Sequence, residues 1–196
     1  MTPLGEGAWR LDLPQGADPV AALESLRSLP DVVDVVVTDR HALVCFDPAR
    51  PPGGVPETLA AAAVAPAVIH ARAVVLEVRY DGVDLAEVAD RCGLSPTEVV
   101  ALHSAGDYRV ETMGFLPGFG YLGPLDPRLV LPRRASPRPR VGAGSVAIAG
   151  RRTAVYPFAS PGGWHLLGTL VTGTLFDPTR GPTLSPGDRV RFRVVP

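Results

Sequence analysis

The fold of this chain is indicated most strongly by the segment GFLPGFGYLG, residues 114–123. It places three aromatic rings among four glycines and one proline, and a second segment of this kind, SPGGW, occupies residues 160–164. Glycine and proline at this density interrupt helices and regular strands, so they predict irregular turns that hold the rings in fixed positions. We therefore expect two shaped aromatic loops that line a pocket for a ligand or a partner.

The glycines at positions 118, 120 and 123 also match the spacing of dinucleotide-binding loops, G-x-G-x-x-G. That fingerprint needs a strand before the glycines and a helix that opens among them. Pro117 and Pro124 flank these glycines instead, so we reject the nucleotide interpretation. The chain also contains no lysine, which excludes a Walker A phosphate loop, a Schiff-base lysine and a Ser-Lys nucleophile pair.

The composition predicts a cytoplasmic protein of one large or two small domains with no membrane contact. Its 196 residues are 46% hydrophobic, which is enough for a core, and no apolar run approaches the ~20 residues of a membrane span. The start of the chain lacks the basic and apolar regions of a secretory signal. Cys45 and Cys92 lie too far apart for a metal-ligand spacing, so we predict no metal in this chain.

Charge is distributed unevenly along the chain. Residues 1–100 carry a net charge of −8 and residues 101–196 a net charge of +7, which together give the total of −1. Six arginines lie between residues 133 and 152, and Pro132, Pro137 and Pro139 stiffen the backbone of this part of the chain. Because arginine presents a rigid donor fork to carboxylate or phosphate, we predict that this segment binds a substrate carboxylate, a nucleotide phosphate or an acidic partner. The alternative is a solvated loop whose charges keep the chain soluble.

The first seventy residues alternate short strands and helices. Hydrophobic periodicity predicts strand 8–13, helix 18–29, strands 32–37 and 42–46, and helix 56–64. With residues 72–80 as a last strand, the order becomes β-α-β-β-α-β, the split pattern of a small ferredoxin-like α/β domain. We prefer to let residues 72–80 open the second domain, which places the domains at 1–71 and 72–196.

The second domain begins with two helices and continues with short strands. Asp84-Leu85-Ala86-Glu87 and Ser95-Pro96-Thr97-Glu98 both match capping boxes. A helix-turn-helix fits this spacing, but the second helix carries no arginine to neutralise phosphate, so we predict no nucleic-acid binding. Short strands separated by turn signals predict a closed or half-closed barrel and an α+β fold class. The predicted strands are 108–113, 145–149, 153–156, 164–171 and 189–195.

Two histidines and one serine are candidates for chemistry. His103 ends the second helix just before the strand that leads to the aromatic segment, and His165 follows Trp164. If the two aromatic loops meet in space, these histidines are the side chains there that titrate near neutral pH. Ser145 is a candidate nucleophile after Gly144, although no G-x-S-x-G elbow surrounds it, and a turn serine is the favoured alternative. Closely spaced glycines at this turn predict backbone N–H groups that face an anion.

A series of motifs identifies a family resemblance. In chain order they are YDGVDL at 80–85, GLSPTEV at 93–99, GFLPGF at 114–119, YLG at 121–123, PR at 132–133, GSVAIAG at 144–150, YP at 156–157 and SPGGW at 160–164. Over about residues 72–170 the chain resembles the B subunit of bacterial 5-oxoprolinase, whereas residues 1–70 match in layout alone. That family has also been labelled allophanate hydrolase subunit 1. It includes a sporulation-kinase inhibitor and the matching half of the carboxyltransferase domain of urea carboxylase.

The resemblance implies a small α/β domain followed by a cyclophilin-like β-barrel. It also implies one subunit, inactive alone, of an ATP-dependent complex that opens 5-oxoproline to glutamate. Its implied partners are the C subunit of 5-oxoprolinase, which carries a related barrel, and the A subunit. Which of the three binds ATP stays open. The predicted catalytic residues are His103 and Ser145. The predicted substrate-binding residues are Phe115, Pro117, Phe119, Tyr121, Arg133, Arg140, Gly144, Gly162, Gly163 and Trp164.

Two other functions stay open at this point. One is a binding protein that inhibits a histidine kinase, and the other is a carboxyltransferase component of an allophanate or urea carboxylase-type system. The chain departs from the family at Thr169, where an arginine usually follows Gly168, and at Gly142, where a proline is usual. Both departures bear on substrate contacts. The site further requires that Phe119 and Trp164 converge, and we expect Phe119→Ala to abolish activity of the complex without unfolding this chain.

Overall fold

The computed structural model of the chain describes residues 1–14, 17–38, 40–64 and 72–196, with the backbone alone at residues 63 and 64. The chain folds as two compact units, Met1–His70 and Ala71–Pro196. The predicted boundary after residue 71 falls at the end of the segment 65–71, which lies outside the described residues. None of the helices that the structure describes has the length and apolar character that crossing a bilayer requires.

The first unit is a four-stranded antiparallel sheet that shares one core with two helices. Its elements are β1 (Thr2–Pro3), β2 (Ala8–Asp12), α1 (Pro19–Arg27), β3 (Val32–Val37), β4 (His41–Phe46) and α2 (Val55–Val64). The helix α1 begins where predicted because the Asp18 side chain accepts a hydrogen bond from the Val20 N–H at 2.9 Å. Leu26 of α1 and Val44 of β4 are fully buried in the shared core.

The ferredoxin-like interpretation of this unit is not confirmed. The strand order is β1-β2-β4-β3, so the two-residue strand β1 lies at the edge of β2. In the split pattern that edge belongs to the strand that follows the second helix. Residues 73–79, the candidate for that strand, pair within the second unit instead.

The second unit is a closed barrel of seven strands that carries two helices. It contains β5 (Ala73–Arg79), α3 (Leu85–Cys92), α4 (Pro96–Ser104), β6 (Tyr108–Met113), β7 (Gly120–Gly123), β8 (Arg138–Val141), β9 (Ser145–Ala149), β10 (Arg152–Val155), β11 (Ser160–Gly162), β12 (His165–Leu170), β13 (Phe176–Asp177), β14 (Gly181–Pro182) and β15 (Arg189–Val194). The barrel order is β10-β7-β6-β15-β5-β12-β9, and pairing of β9 with β10 closes it. The prediction of a closed barrel in an α+β chain is confirmed, whereas the name cyclophilin-like stays an interpretation.

Three short strands lie in segments that the sequence predicts as loops. The strand β7 forms the end of the aromatic segment and pairs with β6 and β10 in the barrel wall. The strands β8 and β11 pair with each other, so the arginine-rich stretch lies beside the second aromatic loop. Glycine and proline hide these strands from local patterns, because pairing with another strand, and not local propensity, specifies them.

The helices α3 and α4 rest on the barrel. Val88 and Val99, both fully buried, belong to the barrel core, as predicted for two packed helices. The capping box at the start of α4 is confirmed, because Ser95 and Glu98 exchange side-chain and backbone hydrogen bonds. The capping box predicted for Asp84 is wrong, since its side chain forms no cap bond with α3.

Candidate functional site

The two aromatic loops meet in one cluster of rings. The ring centroids of Phe119 and Trp164 lie 5.7 Å apart with nearly perpendicular planes, although 45 positions separate the residues in sequence. Edge-to-face contacts of this kind add to the stabilisation from burial. We call Phe115, Phe119, Tyr121, Tyr156 and Trp164 the aromatic cluster, since each ring contacts at least one other.

Phe115 is the solvent-facing member of the aromatic cluster. Phe119 and Trp164 are only 2% and 6% exposed, whereas Phe115 is 59% exposed. Phe115 also adopts a φ of 72°, in the left-handed region that a bulky side chain rarely enters. Residues held in sparsely populated backbone regions concentrate at functional sites. Phe115 is therefore the ring that a ligand or a partner can contact, and the buried rings support it.

The loop that carries Phe115 is closed by its own backbone. The N–H of Gly114 donates to the Phe119 carbonyl at 3.1 Å, and the N–H of Phe119 donates to the Leu116 carbonyl at 3.0 Å. Gly118 has a φ of 81°, and a Cβ there would lie 2.5 Å from the Leu175 carbonyl oxygen. Glycine at this position lets the loop approach its neighbour closely. Pro117 lies exposed in the same loop.

Tyr156 connects the two aromatic loops, and the sequence alone did not single it out as a site residue. Its ring centroid lies 5.4 Å from that of Phe119 and 6.5 Å from that of Phe115. The Tyr156 hydroxyl lies so close to Gly162 that a Cβ at residue 162 would overlap it. The second aromatic loop therefore needs glycine at this position for steric reasons. The sequence signal that could have identified Tyr156 is the motif YP at residues 156–157, which belongs to the ordered set of family motifs.

The Tyr156 phenol stays protonated at neutral pH. Burial raises its pKa above the ordinary value of 10, while a hydrogen bond with the Trp164 backbone and the positive charges of Arg133 and Arg138 oppose the rise. Two arginines thus lie within electrostatic range of the aromatic cluster. Arg133 is the exposed one of these two.

The arginine segment, residues 133–140, divides into structural and exposed side chains. Arg134 and Arg138 both bond to one carboxylate oxygen of Asp84, at 3.1 and 2.5 Å. Asp84 is only 2% exposed, and a buried carboxylate needs a partner of opposite charge. The two guanidinium groups provide that charge. Arg133 and Arg140 are exposed. Arg134 and Arg138 therefore support the fold. Arg133 and Arg140 are the arginines of this segment that are exposed to an anionic ligand.

Arg152 packs against Tyr121 at one edge of the aromatic cluster. The Arg152 guanidinium lies 5.6 Å from the centre of the Tyr121 ring, which is a cation–π distance. Its Nε also donates to Glu111 at 2.8 Å. The Tyr121 ring lies 5.9 Å from Trp164, so this contact extends the cluster along the barrel wall.

The position of His103 does not fit its predicted role as a proton carrier. Its side chain is fully buried in the barrel unit, with Nδ1 2.7 Å from the Tyr80 hydroxyl and Nε2 2.8 Å from Thr153 Oγ1. Thr153 donates its own proton to the Ala147 carbonyl, so His103 Nε2 is the donor to Thr153 and Nδ1 accepts from Tyr80. Burial lowers the pKa of His103 to about 3. The imidazole is neutral at physiological pH and supports the barrel core.

Two backbone donors of the glycine turn, those of Gly144 and Ser145, are already occupied. The N–H of Gly144 donates to the Tyr156 carbonyl at 2.7 Å, and the N–H of Ser145 points to the Gly142 carbonyl at 3.3 Å. Gly144 has a φ of 80°, which explains glycine there. These two N–H groups therefore do not face an anion, and the anion-facing turn stays a prediction for the rest of the segment. Ser145 pairs with Thr169 at the start of β9, which agrees with a turn serine.

His165 and Thr169 take structural positions on or beside the barrel wall. His165 is fully buried, and its Nε2 lies 3.0 Å from the Pro132 carbonyl oxygen. Thr169, which replaces the usual arginine, donates to Asp81 at 2.9 Å. Asp81 also accepts from Arg79 at 3.0 Å. The departure at Thr169 is thus compatible with a fully bonded local network.

Gly163, another predicted site residue, contacts the arginine segment. Gly163 accepts a hydrogen bond from the Arg134 N–H at 2.8 Å, and a Cβ at residue 163 would be in ordinary contact with Pro137. Within the described ranges, no three His, Cys, Asp or Glu side chains gather closely enough to hold a metal ion. The absence of a metal and the substrate contacts of the predicted residues stay predictions.

Comparison with known proteins places the chain in a family. The carboxyltransferase domain, subdomain C and D, matches residues 1–185. The chain is 56% identical over 113 residues to the B subunit of 5-oxoprolinase from Escherichia coli O157:H7 and 46% identical over 129 residues to that of Bacillus subtilis (strain 168). These matches cover 57% and 63% of this chain but only 51% and 53% of the relatives, so the chain spans about half the length of the curated relatives it matches.

Solved structures agree with this placement. TTHA0988 is 41% identical, with a TM-score of 0.82, over 96% of this chain and 40% of its own chain. The Kluyveromyces lactis urea amidolyase shares the fold over 91% of this chain and 13% of its own, with a TM-score of 0.66 at 19% identity. The resemblance to the family of 5-oxoprolinase B subunits is confirmed, and the chain belongs to the carboxyltransferase domain, subdomain C and D, family.

Proposed function

We propose that this chain is one subunit of an ATP-dependent 5-oxoprolinase complex, which opens 5-oxoproline to glutamate. The observation that carries the proposal is its identity of 46–56% to three relatives named as the B subunit of 5-oxoprolinase. The partners in this proposal are the C subunit, with a related barrel, and the A subunit. The complex uses ATP, works in the cytoplasm, and requires all of its components for activity.

The aromatic cluster and the exposed arginines suit this substrate. 5-Oxoproline carries a carboxylate on a lactam ring that also contains two methylene groups. A cationic partner suits the carboxylate, and an apolar wall suits the methylene face of the ring. Arg133 or Arg140 provides a planar donor fork that binds a carboxylate through two hydrogen bonds. Phe115 provides the exposed ring, and the buried rings of Phe119 and Trp164 hold it in place. In this arrangement the chain binds and orients substrate and excludes water from one wall of a shared site.

The proton transfers of ring opening fall to other groups than His103. A general acid or base works best when its pKa lies near the operating pH, and burial lowers that of His103 to about 3. An arginine side chain offers N–H donors and no acceptor, so the exposed arginines suit the binding of an anion and not the uptake of a proton. We therefore assign a binding role to this chain and leave proton transfer to its partners.

Co-purification with the C subunit, followed by addition of the A subunit, tests the proposal. We expect glutamate release from 5-oxoproline that requires ATP and all three proteins. Arg133→Gln and Arg140→Gln form a matched pair, because both side chains are exposed on the same segment. The KM for 5-oxoproline should rise in one of them, and an intact complex that releases no glutamate would remove the proposal.

A second candidate function is a carboxyltransferase component. It is favoured by the family match over residues 1–185, whose description is a carboxyltransferase domain. In this case the assembled complex would transfer a carboxyl group from carboxybiotin to a small amide rather than release glutamate. The third interpretation, inhibition of a histidine kinase, stays a prediction that binding to the kinase alone would test.

A further inference from the structure

We propose that Asp84 is a positioning residue that holds Arg133 beside the aromatic cluster, where Arg133 binds the carboxylate of the substrate. The identity of the ligand rests on the proposed function. The positioning itself rests on the hydrogen bonds of the arginine segment. It also distinguishes Arg133 from Arg140, which the sequence treats as equivalent.

The residues on either side of Arg133 bond to the residues on either side of Trp164. The N–H of Arg134 donates to the carbonyl of the glycine before Trp164 at 2.8 Å. The carbonyl of the proline before Arg133 lies 3.0 Å from Nε2 of His165, the residue after Trp164. One neighbour of Arg133 contacts the residue before Trp164, and the other contacts the residue after it. The backbone of Arg133 therefore lies opposite Trp164.

Asp84 secures the side chains of the same segment to the same strand. One carboxylate oxygen accepts from Arg134 and Arg138, and the other accepts from the Leu166 N–H at 2.8 Å. The N–H of Asp84 in turn donates to the Leu166 carbonyl at 3.1 Å. A single buried carboxylate therefore connects the arginine segment to β12. Charge-assisted bonds of this kind are the strong ones in a protein, and burial protects them from screening by salt.

Arg133 is left available for a ligand by this arrangement. Its two arginine neighbours in the segment, Arg134 and Arg138, are occupied by Asp84, and Arg134 also bonds to Glu87 at 2.9 Å. Arg133 is exposed and lies within electrostatic range of Tyr156. A guanidinium whose backbone is fixed loses little freedom when it binds a carboxylate, which favours affinity.

Kinetics of the assembled complex test the role of Asp84. Asp84→Asn keeps the shape and a bond to Leu166 but removes the charge that holds the two arginines. We expect the KM for 5-oxoproline to rise about 10- to 100-fold, because a displacement of a binding group by about 1 Å can cost about 100-fold, with kcat changed less than about threefold. Asp107→Asn is the matched control, because Asp107 also faces two arginines, at 3.3 and 3.6 Å, but at the surface.

A double variant separates positioning from a general structural role. If Asp84 acts through Arg133, the KM of Asp84→Asn/Arg133→Gln should equal that of Arg133→Gln alone. Independent effects would multiply instead, and that result would overturn the proposal. A change in KM for Asp107→Asn as large as for Asp84→Asn would overturn it as well.

Hydrogen exchange of the isolated chain provides a readout that does not depend on activity. In Asp84→Asn, the amides of residues 133–141 should exchange at least about tenfold faster, while those of β5 and β15 keep their protection. Unchanged exchange in the arginine segment would contradict the positioning role. A wild-type complex without glutamate release would contradict only the proposed function, because the exchange result stands without it.

Discussion

Acid should weaken the barrel unit through His103. The pKa of His103 falls from its ordinary value of 6.5 to about 3 on folding, because the ring is fully buried between Tyr80 and Thr153. Between pH 6.5 and about pH 3, His103 therefore binds a proton in the unfolded chain but not in the folded chain. The stability that neutral His103 contributes is fully present above pH 6.5 and is lost as the pH falls from there toward 3.

The expected loss is about 2 kcal/mol between pH 8 and pH 5. A pH of 5 lies about 1.5 units below the unfolded-state pKa of 6.5, so the histidine of the unfolded chain is almost fully protonated. The histidine of the folded chain is still neutral at this pH. Each unit corresponds to about 1.4 kcal/mol of differential protonation. The magnitude therefore depends on the unfolded-state pKa and not on how far below 5 the folded-state pKa lies.

Urea denaturation at a series of pH values measures this loss. Trp164 reports on the barrel unit, so a Trp9→Phe background removes the emission of the first unit. The control variant is His103→Gln, which cannot titrate. Carboxylates with lowered pKa values, such as Glu87 and Glu98, contribute equally to both proteins near pH 5. The difference between the two pH dependences isolates His103, and parallel curves would refute the neutral, buried histidine described here.

Three substitutions test the aromatic cluster by urea denaturation. Phe119→Ala should cost about 3–5 kcal/mol, because Phe119 is buried among four rings, so it is unsuitable as a variant that stays folded. Phe115→Ala should change stability by less than about 1 kcal/mol yet lower kcat/KM of the complex at least about tenfold, and unaltered turnover would argue against a ligand-facing ring. Gly162→Ala should cost about 1–3 kcal/mol through overlap with Tyr156, and adding Tyr156→Phe should restore part of that; no rescue would show that the strain lies elsewhere.

The convergence of the two aromatic loops was the sequence expectation with the largest structural consequence, and the structure agrees with it. Phe119 and Trp164 pack at 5.7 Å, as required for a shared surface. The long strands and the four helices were also predicted, because alternation and helical stripes are local properties of the chain. The ferredoxin-like layout was predicted from element order alone, and order does not specify which edge of a sheet a strand joins.

The roles of polar residues depended on partners far along the chain. Asp84 has the local pattern of a helix cap, but its carboxylate bonds to arginines 50 and 54 positions away. His103 has the local position of a proton carrier, but its side chain is fully buried and burial lowers its pKa to about 3. The chain by itself determined which residues alternate, which turns need glycine and where the rings lie in sequence. Tertiary structure decided which charges are neutralised and which stay exposed, because desolvation and ion pairing arise only when distant segments are brought together.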